Sequence, residues 1–209
     1  MTGEPTLVDT PHGPARVTSA GDGRAGTLVL GHGAGGGAES ADLAALAGEA
    51  ADAGWLVHRV DQPWRVAGKR IAPAPPRLDE AWQAVLDRLR ALDRLPGRLV
   101  LGGRSAGARV ACRTAAGQGA AGVLTLAFPL HPPGKPEKSR APELTAVAVP
   151  LLVVQGETDA FGRPEQVAAA LAQHAGASVY AVPGDHSLKQ NPHLVAAAAM
   201  SWLTEVLPR

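Results

Sequence analysis

The sequence predicts an α/β fold in which helices cover both faces of a doubly wound, mostly parallel β-sheet. Short apolar segments alternate with amphipathic segments along the 209 residues. Each apolar segment is bounded by glycine, proline or a charged residue, which is typical of strands buried on both faces of a parallel sheet. The length suits one domain, residues 1–209, better than two.

The individual elements follow from these patterns. The predicted parallel strands are residues 27–30, 56–60, 99–101, 123–128, 151–154 and 179–182. The predicted helices are residues 39–53, 78–92, 105–116, 164–174 and 192–207, and the second has its apolar residues on one stripe. Residues 7–8 and 15–17 are predicted to form an antiparallel hairpin at one edge of the sheet. The two long connections, residues 61–77 and 130–149, are candidates for functional loops.

The composition excludes several classes of function. The formal net charge is +1 and the basic residues are scattered, so nothing indicates a nucleic-acid or anionic-membrane partner. Cys112 is the single cysteine, which excludes an internal disulfide and a cysteine metal cluster. Residues 1–5 lack a signal-peptide pattern, and no apolar run approaches the roughly 18 residues of a membrane helix. We therefore expect a cytoplasmic monomer or homodimer that acts on a small molecule.

Residues 103–107, Gly-Arg-Ser-Ala-Gly, match the pattern G-x-S-x-G, which marks a nucleophilic serine on a sharp strand-to-helix turn. A predicted strand precedes Ser105 and a predicted helix follows it. The flanking glycines would let the neighbouring strand and helix approach without a Cβ clash. We predict that Ser105 is a nucleophile, and an ordinary glycine-rich turn is the alternative.

A serine hydroxyl is a poor nucleophile until a positioned base takes its proton. In this motif's usual setting an acid and then a histidine follow the serine along the chain. Asp159 lies just beyond the fifth predicted parallel strand, where open α/β sheets place their sites, with Glu157 as the alternative acid. His186 follows the last predicted strand, and His193 is its alternative at the start of the final helix. We predict a triad of Ser105, Asp159 and His186.

The glycine-rich segment 31–37 follows the first predicted parallel strand and lets backbone N–H groups turn toward the site. An acyl-transfer enzyme needs two such donors to hold the oxyanion that forms in the reaction. We predict that these donors are the amides of Ala34 and Ala106.

The same loop is also compatible with a different class of protein. Gly31, Gly33 and Gly36 match G-x-G-x-x-G, and Asp61 follows near the spacing of a ribose-binding acid. A dinucleotide-binding oxidoreductase is therefore an alternative, although it leaves Ser105 unexplained. A non-enzymatic interaction module on the same scaffold is another, because fold does not determine function.

Five segments together resemble the dienelactone-hydrolase-like α/β-hydrolases. More narrowly, they resemble a small bacterial branch related to the testis-expressed hydrolase-like proteins and to a subunit of a histone-acetyltransferase complex. These segments are residues 32–35, 102–109, 128–137, 155–159 and 185–187. The most specific is His-Pro-Pro-Gly-Lys at residues 131–135, and the likeness runs from about Leu28 to the C-terminus. It implies an α/β-hydrolase fold and matches Ser105, Asp159 and His186 to the family's triad positions.

The chain departs from that family at two places. Residues 35–37 are all glycine where relatives often carry a bulkier residue, and Gln62 stands where asparagine is expected. Both departures are expected to change the floor of the pocket.

Together these observations predict a serine hydrolase for a small acyl ester or thioester, with no metal or organic cofactor. No segment is long enough for a helical cap domain, so the site should be open, with the loop around His131 and Lys135 as the candidate lid. The candidate substrate-binding residues are His32, Gly33, Arg104, His131 and Lys135. With Arg65, the basic residues of this set would place positive charge at the mouth, which favours a substrate with an anionic group.

Overall fold

The computed structural model describes residues 4–206, which form an eight-stranded sheet with helices on both faces. The strands are β1 Thr6–Val8, β2 Ala15–Ala20, β3 Gly26–Gly31, β4 Trp55–Asp61, β5 Leu99–Arg104, β6 Gly122–Leu126, β7 Leu151–Gly156 and β8 Ala177–Val182. The helices are α1 Ala41–Asp52, α2 Pro63–Val66, α3 Pro75–Ala91, α4 Ala106–Thr114, α5 Ala141–Thr145, α6 Pro164–Ala170 and α7 Pro192–Val206, with a 3₁₀ turn at Pro136–Lys138. The described residues exclude residues 1–3, which belong to the segment without a signal pattern. They also exclude Leu207, the predicted end of the last helix.

The strand order across the sheet is β1-β2-β4-β3-β5-β6-β7-β8. Strands β3 to β8 run parallel to one another, whereas β1 and β2 form an antiparallel hairpin at one edge and β2 pairs antiparallel with β4. The doubly wound, mostly parallel sheet and its edge hairpin are therefore confirmed. Because parallel strands end on the same side, the loops after β3, β5, β7 and β8 meet at one edge of the sheet.

Two apolar cores hold the sheet between its helices. One core packs α3, α4, α5 and α6 against one face, and the other packs α1 and α7 against the opposite face. Every residue of β3 and β7 is buried, which explains why their sequences are apolar apart from Thr27 and Gln155 and do not alternate with polar residues. Trp82 of α3 is among the largest fully buried side chains, as its position on the apolar stripe predicts.

The structure differs from the sequence predictions mainly in the two long connections. The first contains α2, and the second contains the 3₁₀ turn and α5. Each of these short helices has a proline in its first turn, where the missing N–H costs no hydrogen bond, and each is too short to show a helical apolar period. The predicted strand 123–128 ends at Leu126, and the predicted helix 164–174 ends at Ala170.

Between residues 4 and 206 there is no separate cap domain above the sheet. None of the helices in that range combines the length and the apolar character needed to cross a membrane.

Candidate active site

Ser105 lies at the tip of the turn between β5 and α4. Its backbone has φ 52° and ψ −108°, a conformation that residues with a Cβ rarely adopt and that must be imposed by the surrounding structure. The amide of Ser105 donates to the carbonyl of Leu126 at the end of β6, with 2.9 Å between N and O. This strained turn lifts the hydroxyl out of the sheet edge.

Two glycines make this turn sterically feasible. A Cβ on Gly103 would overlap the carbonyl oxygen of Gly31 in β3, and a Cβ on Gly107 would overlap the same peptide group. The amide of Gly107 also donates to the carbonyl of His32, with an N···O distance of 3.0 Å. The elbow and the glycine-rich loop after β3 are therefore packed backbone against backbone.

Ser105, His186 and Asp159 form one hydrogen-bonded chain. His186 Nε2 lies 2.9 Å from Ser105 Oγ, and His186 Nδ1 lies 2.8 Å from Asp159 Oδ2. Because an ionised carboxylate can only accept, Nδ1 carries the hydrogen and Nε2 is free to accept the serine proton. Asp159 is 1% exposed and His186 is partly exposed. The arrangement is compatible with a Ser-His-Asp triad.

The loops that carry the acid and the base are joined to each other beyond β7 and β8. The amides of Glu157 and Thr158 donate to the carbonyls of Val182 and Gly184, at 2.9 and 3.0 Å. A Cβ on Gly156 would lie 2.6 Å from the carbonyl oxygen of Asp185, so only glycine lets the second loop approach so closely. This contact brings His186 to Asp159 across 27 residues of sequence.

The alternative acid and base lie elsewhere. Glu157 is exposed, and its neighbour Asp159 makes the contact with His186. The imidazole of His193 is 86% exposed and faces Glu49 of α1, at 3.3 Å.

Three contacts that the sequence did not indicate hold the acid and the base in place. Gln155 Nε2, fully buried at the end of β7, donates to Asp159 Oδ2 at 2.9 Å and also lies within hydrogen-bond distance of two backbone carbonyls. The amide of Phe161 donates to Asp159 Oδ1 at 2.8 Å, and its ring centroid lies 4.2 Å from that of His186. A polar glutamine ending an otherwise apolar strand is the one sequence signal that could have identified Gln155.

Arg104, a candidate substrate-binding residue, fastens the base loop. Its Nη2 donates to the carbonyl of His186 at 2.8 Å, and its Nε lies 2.9 Å from Asp42 Oδ2 of α1. The side chain of Asp42 is 1% exposed and that of Arg104 is 11% exposed. The charge of Arg104 is therefore largely paired inside the protein.

The two predicted oxyanion donors belong to two segments next to Ser105, the loop after β3 and the start of α4. Ala106 is the first residue of α4, so its amide has no acceptor within the helix. Ala34 is exposed in the loop after β3, and a Cβ on the adjacent Gly33 would lie 3.3 Å from Ser105 Cβ, which shows how closely that loop approaches the serine. Within residues 4–206, neither amide donates to another protein group.

The ring of His32 supports this loop and is 2% exposed. Its Nε2 accepts from the amide of Gln62 at 3.0 Å, so its Nδ1 carries the hydrogen and donates to the carbonyl of Gly33 at 2.8 Å. Burial lowers the pKa of His32, which keeps the ring neutral, as this pattern requires. Both ring nitrogens are therefore engaged within the protein and neither is available to a substrate.

His131 and Lys135 occupy the loop after β6. The amide of His131 donates to the carbonyl of Phe161 at 3.0 Å, and its Nδ1 donates to the carbonyl of Pro132 at 3.0 Å. Lys135 is exposed just before the 3₁₀ turn. In the described part of the chain, neither side chain forms a hydrogen bond or ion pair with Ser105 or His186. Substrate binding by His131 and Lys135 therefore stays a prediction.

Two of the three glycines that suggested a dinucleotide site, and the acid that follows them, have a different structural explanation. Gly31 packs against the elbow, Gly33 lies against Ser105, and Asp61 Oδ1 accepts the amide of Ala38 at 2.8 Å. Residues 4–206 contain no group of three or more histidine, cysteine or acidic side chains arranged to hold a metal ion.

A serine at a strand–helix elbow, on a mostly parallel sheet that also carries the histidine and the acid, defines an α/β-hydrolase. The chain belongs to the alpha/beta hydrolase domain family, whose sequence model matches residues 24–203. No curated protein matches the sequence significantly.

Solved structures share the fold over almost the whole chain. An alpha-beta serine hydrolase homologue from Coxiella burnetii is 22% identical, with a TM-score of 0.77 and coverage of 97% of this chain and 96% of that one. Est1E from Butyrivibrio proteoclasticus is 16% identical, with a TM-score of 0.82 and coverage of 99% and 100%. A serine hydrolase without lid from Xanthomonas campestris is 19% identical, with a TM-score of 0.74 and coverage of 99% and 93%.

Proposed function

We propose that this protein is a serine hydrolase that cleaves a small acyl ester or thioester. Ser105 attacks the acyl carbonyl while His186 Nε2 accepts the serine proton and later returns it to the leaving group. Asp159 keeps the hydrogen on His186 Nδ1 and stabilises the imidazolium that forms. The amides of Ala34 and Ala106 hold the negative charge that develops on the carbonyl oxygen.

The observation that carries this proposal is the continuous hydrogen-bonded chain from Ser105 Oγ through His186 to Asp159, at 2.9 and 2.8 Å. An ordinary glycine-rich turn would need neither the strained backbone of Ser105 nor a buried carboxylate aligned on the far side of the imidazole. A strained backbone like that of Ser105 costs stability, and such strain persists at sites where it serves a function.

Two features support a small substrate and an ester-like bond. The absence of a cap domain over the described sheet leaves the serine accessible, so substrate is held mainly by the loops at the sheet edge. Est1E has been solved with ferulic acid bound, and two other structures with this fold are described as esterases. We also propose that, within the family, the chain belongs to the dienelactone-hydrolase-like branch related to the testis-expressed hydrolase-like proteins, because it carries the His-Pro-Pro-Gly-Lys segment.

A fluorophosphonate probe tests the proposal directly, because it reacts with an activated serine and not with an ordinary hydroxyl. We expect covalent labelling of the wild type at neutral pH and none of Ser105→Ala or His186→Ala. Ser201→Ala is the matched control, since Ser201 is an exposed serine of α7, and it should label like the wild type. Folded wild type that stays unlabelled would refute the triad and favour an interaction module on this scaffold.

Hydrolysis of 4-nitrophenyl acetate and of an acetyl thioester then distinguishes the two kinds of bond. If the triad acts as a unit, Ser105→Ala should lower turnover by about 10⁶-fold, or to the uncatalysed background.

A further inference from the structure

A surface cavity of about 640 Å³ adjoins the proposed triad. Its walls include residues 35–37 of the glycine-rich loop, Arg104 and Ser187. The last two residues are the chain neighbours of Ser105 and His186. A molecule with its reacting bond at Ser105 could therefore extend into this cavity.

This space is open because residues 35–37 are glycines and have no side chains to fill it. A Cβ on Gly35 would have no atom within 4 Å, and a Cβ on Gly36 would have only Ser40 Cβ, at 4.0 Å. At Gly37 the same position would lie 3.1 Å from Asp61 Oδ1 and 3.5 Å from Arg65 Nε. The bare backbone thus lets the Arg65 guanidinium lie close to the loop that carries the proposed oxyanion donor.

The charges that line the cavity leave an excess of positive charge. Each of its three acidic side chains has a partner in the protein: Asp42 with Arg104 at 2.9 Å, Glu39 with Arg59 at 2.9 Å, and Asp61 with the amide of Ala38 at 2.8 Å. Arg65 and Lys189 also line the cavity, and neither forms an ion pair with another side chain among residues 4–206. Arg16, the fourth basic residue of the lining, lies 3.9 Å from Asp61. The lining therefore carries four basic and three acidic side chains, and its acids are already engaged.

We infer that this cavity is the subsite for an anionic group, a carboxylate or a phosphate, carried by the acyl substrate. The inference rests on the proposed function, since it takes Ser105 as the reacting atom. The planar guanidinium of Arg65 can bind either anion through two parallel N–H donors, and the ammonium of Lys189 adds a second charge. The reaction remains acyl transfer to Ser105, and the anionic group only selects and orients the substrate.

Binding is tested first without catalysis, on Ser105→Ala protein followed by ¹H–¹⁵N NMR. Monoethyl adipate and ethyl 4-phosphonobutanoate are the carboxylate and phosphonate probes, and diethyl adipate is the neutral control. We expect saturable shifts of the amides of residues 35–37 with at least one anionic probe and weaker binding of the neutral ester. Adding Arg65→Gln or Lys189→Gln should weaken anion binding about three- to tenfold, since both cations are exposed and partly screened. Adding Arg88→Gln, which removes an exposed charge of α3 outside the cavity, should not.

Kinetics then test selection among substrates. With the otherwise wild-type enzyme, we compare kcat/KM for 4-nitrophenyl hydrogen adipate with that for 4-nitrophenyl hexanoate. The ratio of the two kcat/KM values should favour the anionic ester in the wild type. It should fall in Arg65→Gln and Lys189→Gln but not in Arg88→Gln. It should also fall as NaCl is raised to about 0.5 M, where surface charges are screened.

The outcomes separate the two proposals. The subsite is overturned if neither anionic probe shifts the amides of residues 35–37, or if both cavity variants bind the anionic probes as tightly as the wild type. Either result holds whether or not the protein hydrolyses esters. Anion binding that depends on Arg65, in a protein that the fluorophosphonate probe does not label, would support the subsite as a ligand site and overturn the proposed hydrolase.

Discussion

Replacing Asp42 by asparagine should destabilise the protein because it leaves the Arg104 guanidinium without its carboxylate. The side chains are 1% and 11% exposed and 2.9 Å apart, so neither water nor another acid can easily replace the lost charge. Removing one partner of a buried ion pair costs about 3–5 kcal/mol. We take the lower end, about 3 kcal/mol, because Arg104 keeps its hydrogen bond to the carbonyl of His186. For a chain of this size that corresponds to a melting temperature lower by roughly 6–12 °C.

Urea unfolding and thermal melting of Asp42→Asn measure this cost. Asp87→Asn is the matched control, because it breaks an Arg–Asp pair of similar length, 3.1 Å, whose side chains are 66% and 49% exposed. Such surface pairs contribute about 0–1 kcal/mol. The double variant Asp42→Asn/Arg104→Gln removes the unpaired charge and should recover part of the loss.

Activity provides a second measurement of the same change. In Asp42→Asn the hydrogen bond to the His186 carbonyl is retained, but Arg104 is no longer fixed by Asp42. The position of His186 should therefore be less restrained, and kcat for a neutral 4-nitrophenyl ester should fall in Asp42→Asn but not in Asp87→Asn. The reasoning is refuted if Asp42→Asn unfolds within about 1 kcal/mol of the wild type, or if the double variant is no more stable than Asp42→Asn alone.

Three further predictions concern other parts of the structure. Gly107→Ala should prevent folding or cost about 3 kcal/mol, because its methyl group overlaps β3, whereas Gly117→Ala, with 3.8 Å of clearance, should not; urea unfolding of both decides this. Gln155→Leu should cost about 2–4 kcal/mol and lower kcat, since Asp159 Oδ2 loses one of its two donors and the buried carbonyl of Gly162 loses the Gln155 amide; an unchanged kcat would contradict that support role. Burial lowers the pKa of His58 below 6.5, so the unfolded state takes up protons first and the unfolding free energy should fall as pH drops below that value. Urea titrations from about pH 7.5 to about pH 5 should show a shallower fall for His58→Gln, and an equal slope would exclude His58 as a source.

The order of Ser105, Asp159 and His186 along the chain could be predicted because it follows from topology. Parallel strands put the loops that follow them at one edge of the sheet, so an acid after β7 and a histidine after β8 must lie near each other. The glycines around Ser105 could be predicted for a steric reason, since a serine at the tip of a strand–helix turn leaves no room for neighbouring side chains. These inferences use only strand positions, which apolar segments reveal.

The partners of the charged and polar side chains could not be predicted in this way. The sequence suggested that Arg104 faces the substrate and that His32 lines the pocket, but Arg104 pairs with Asp42 of a helix 62 positions earlier in the numbering and both nitrogens of His32 are engaged by backbone groups. Which side chains meet depends on how α1 packs on the sheet and on the direction of each side chain, neither of which is periodic in the sequence.

The sequence by itself thus determined the doubly wound sheet, the positions of Ser105, Asp159 and His186, and the glycine-rich loop beside them, because each follows from strand periodicity and local steric rules. Only the tertiary structure decided which acid contacts His186 and that Gln155 and Asp42 support the site. It also decided that the glycine run borders a cavity where Arg65 and Lys189 have no ion-pair partner among residues 4–206. The physical reason is that hydrogen bonds and ion pairs act over about 3 Å between groups that the chain brings together only when the two cores close.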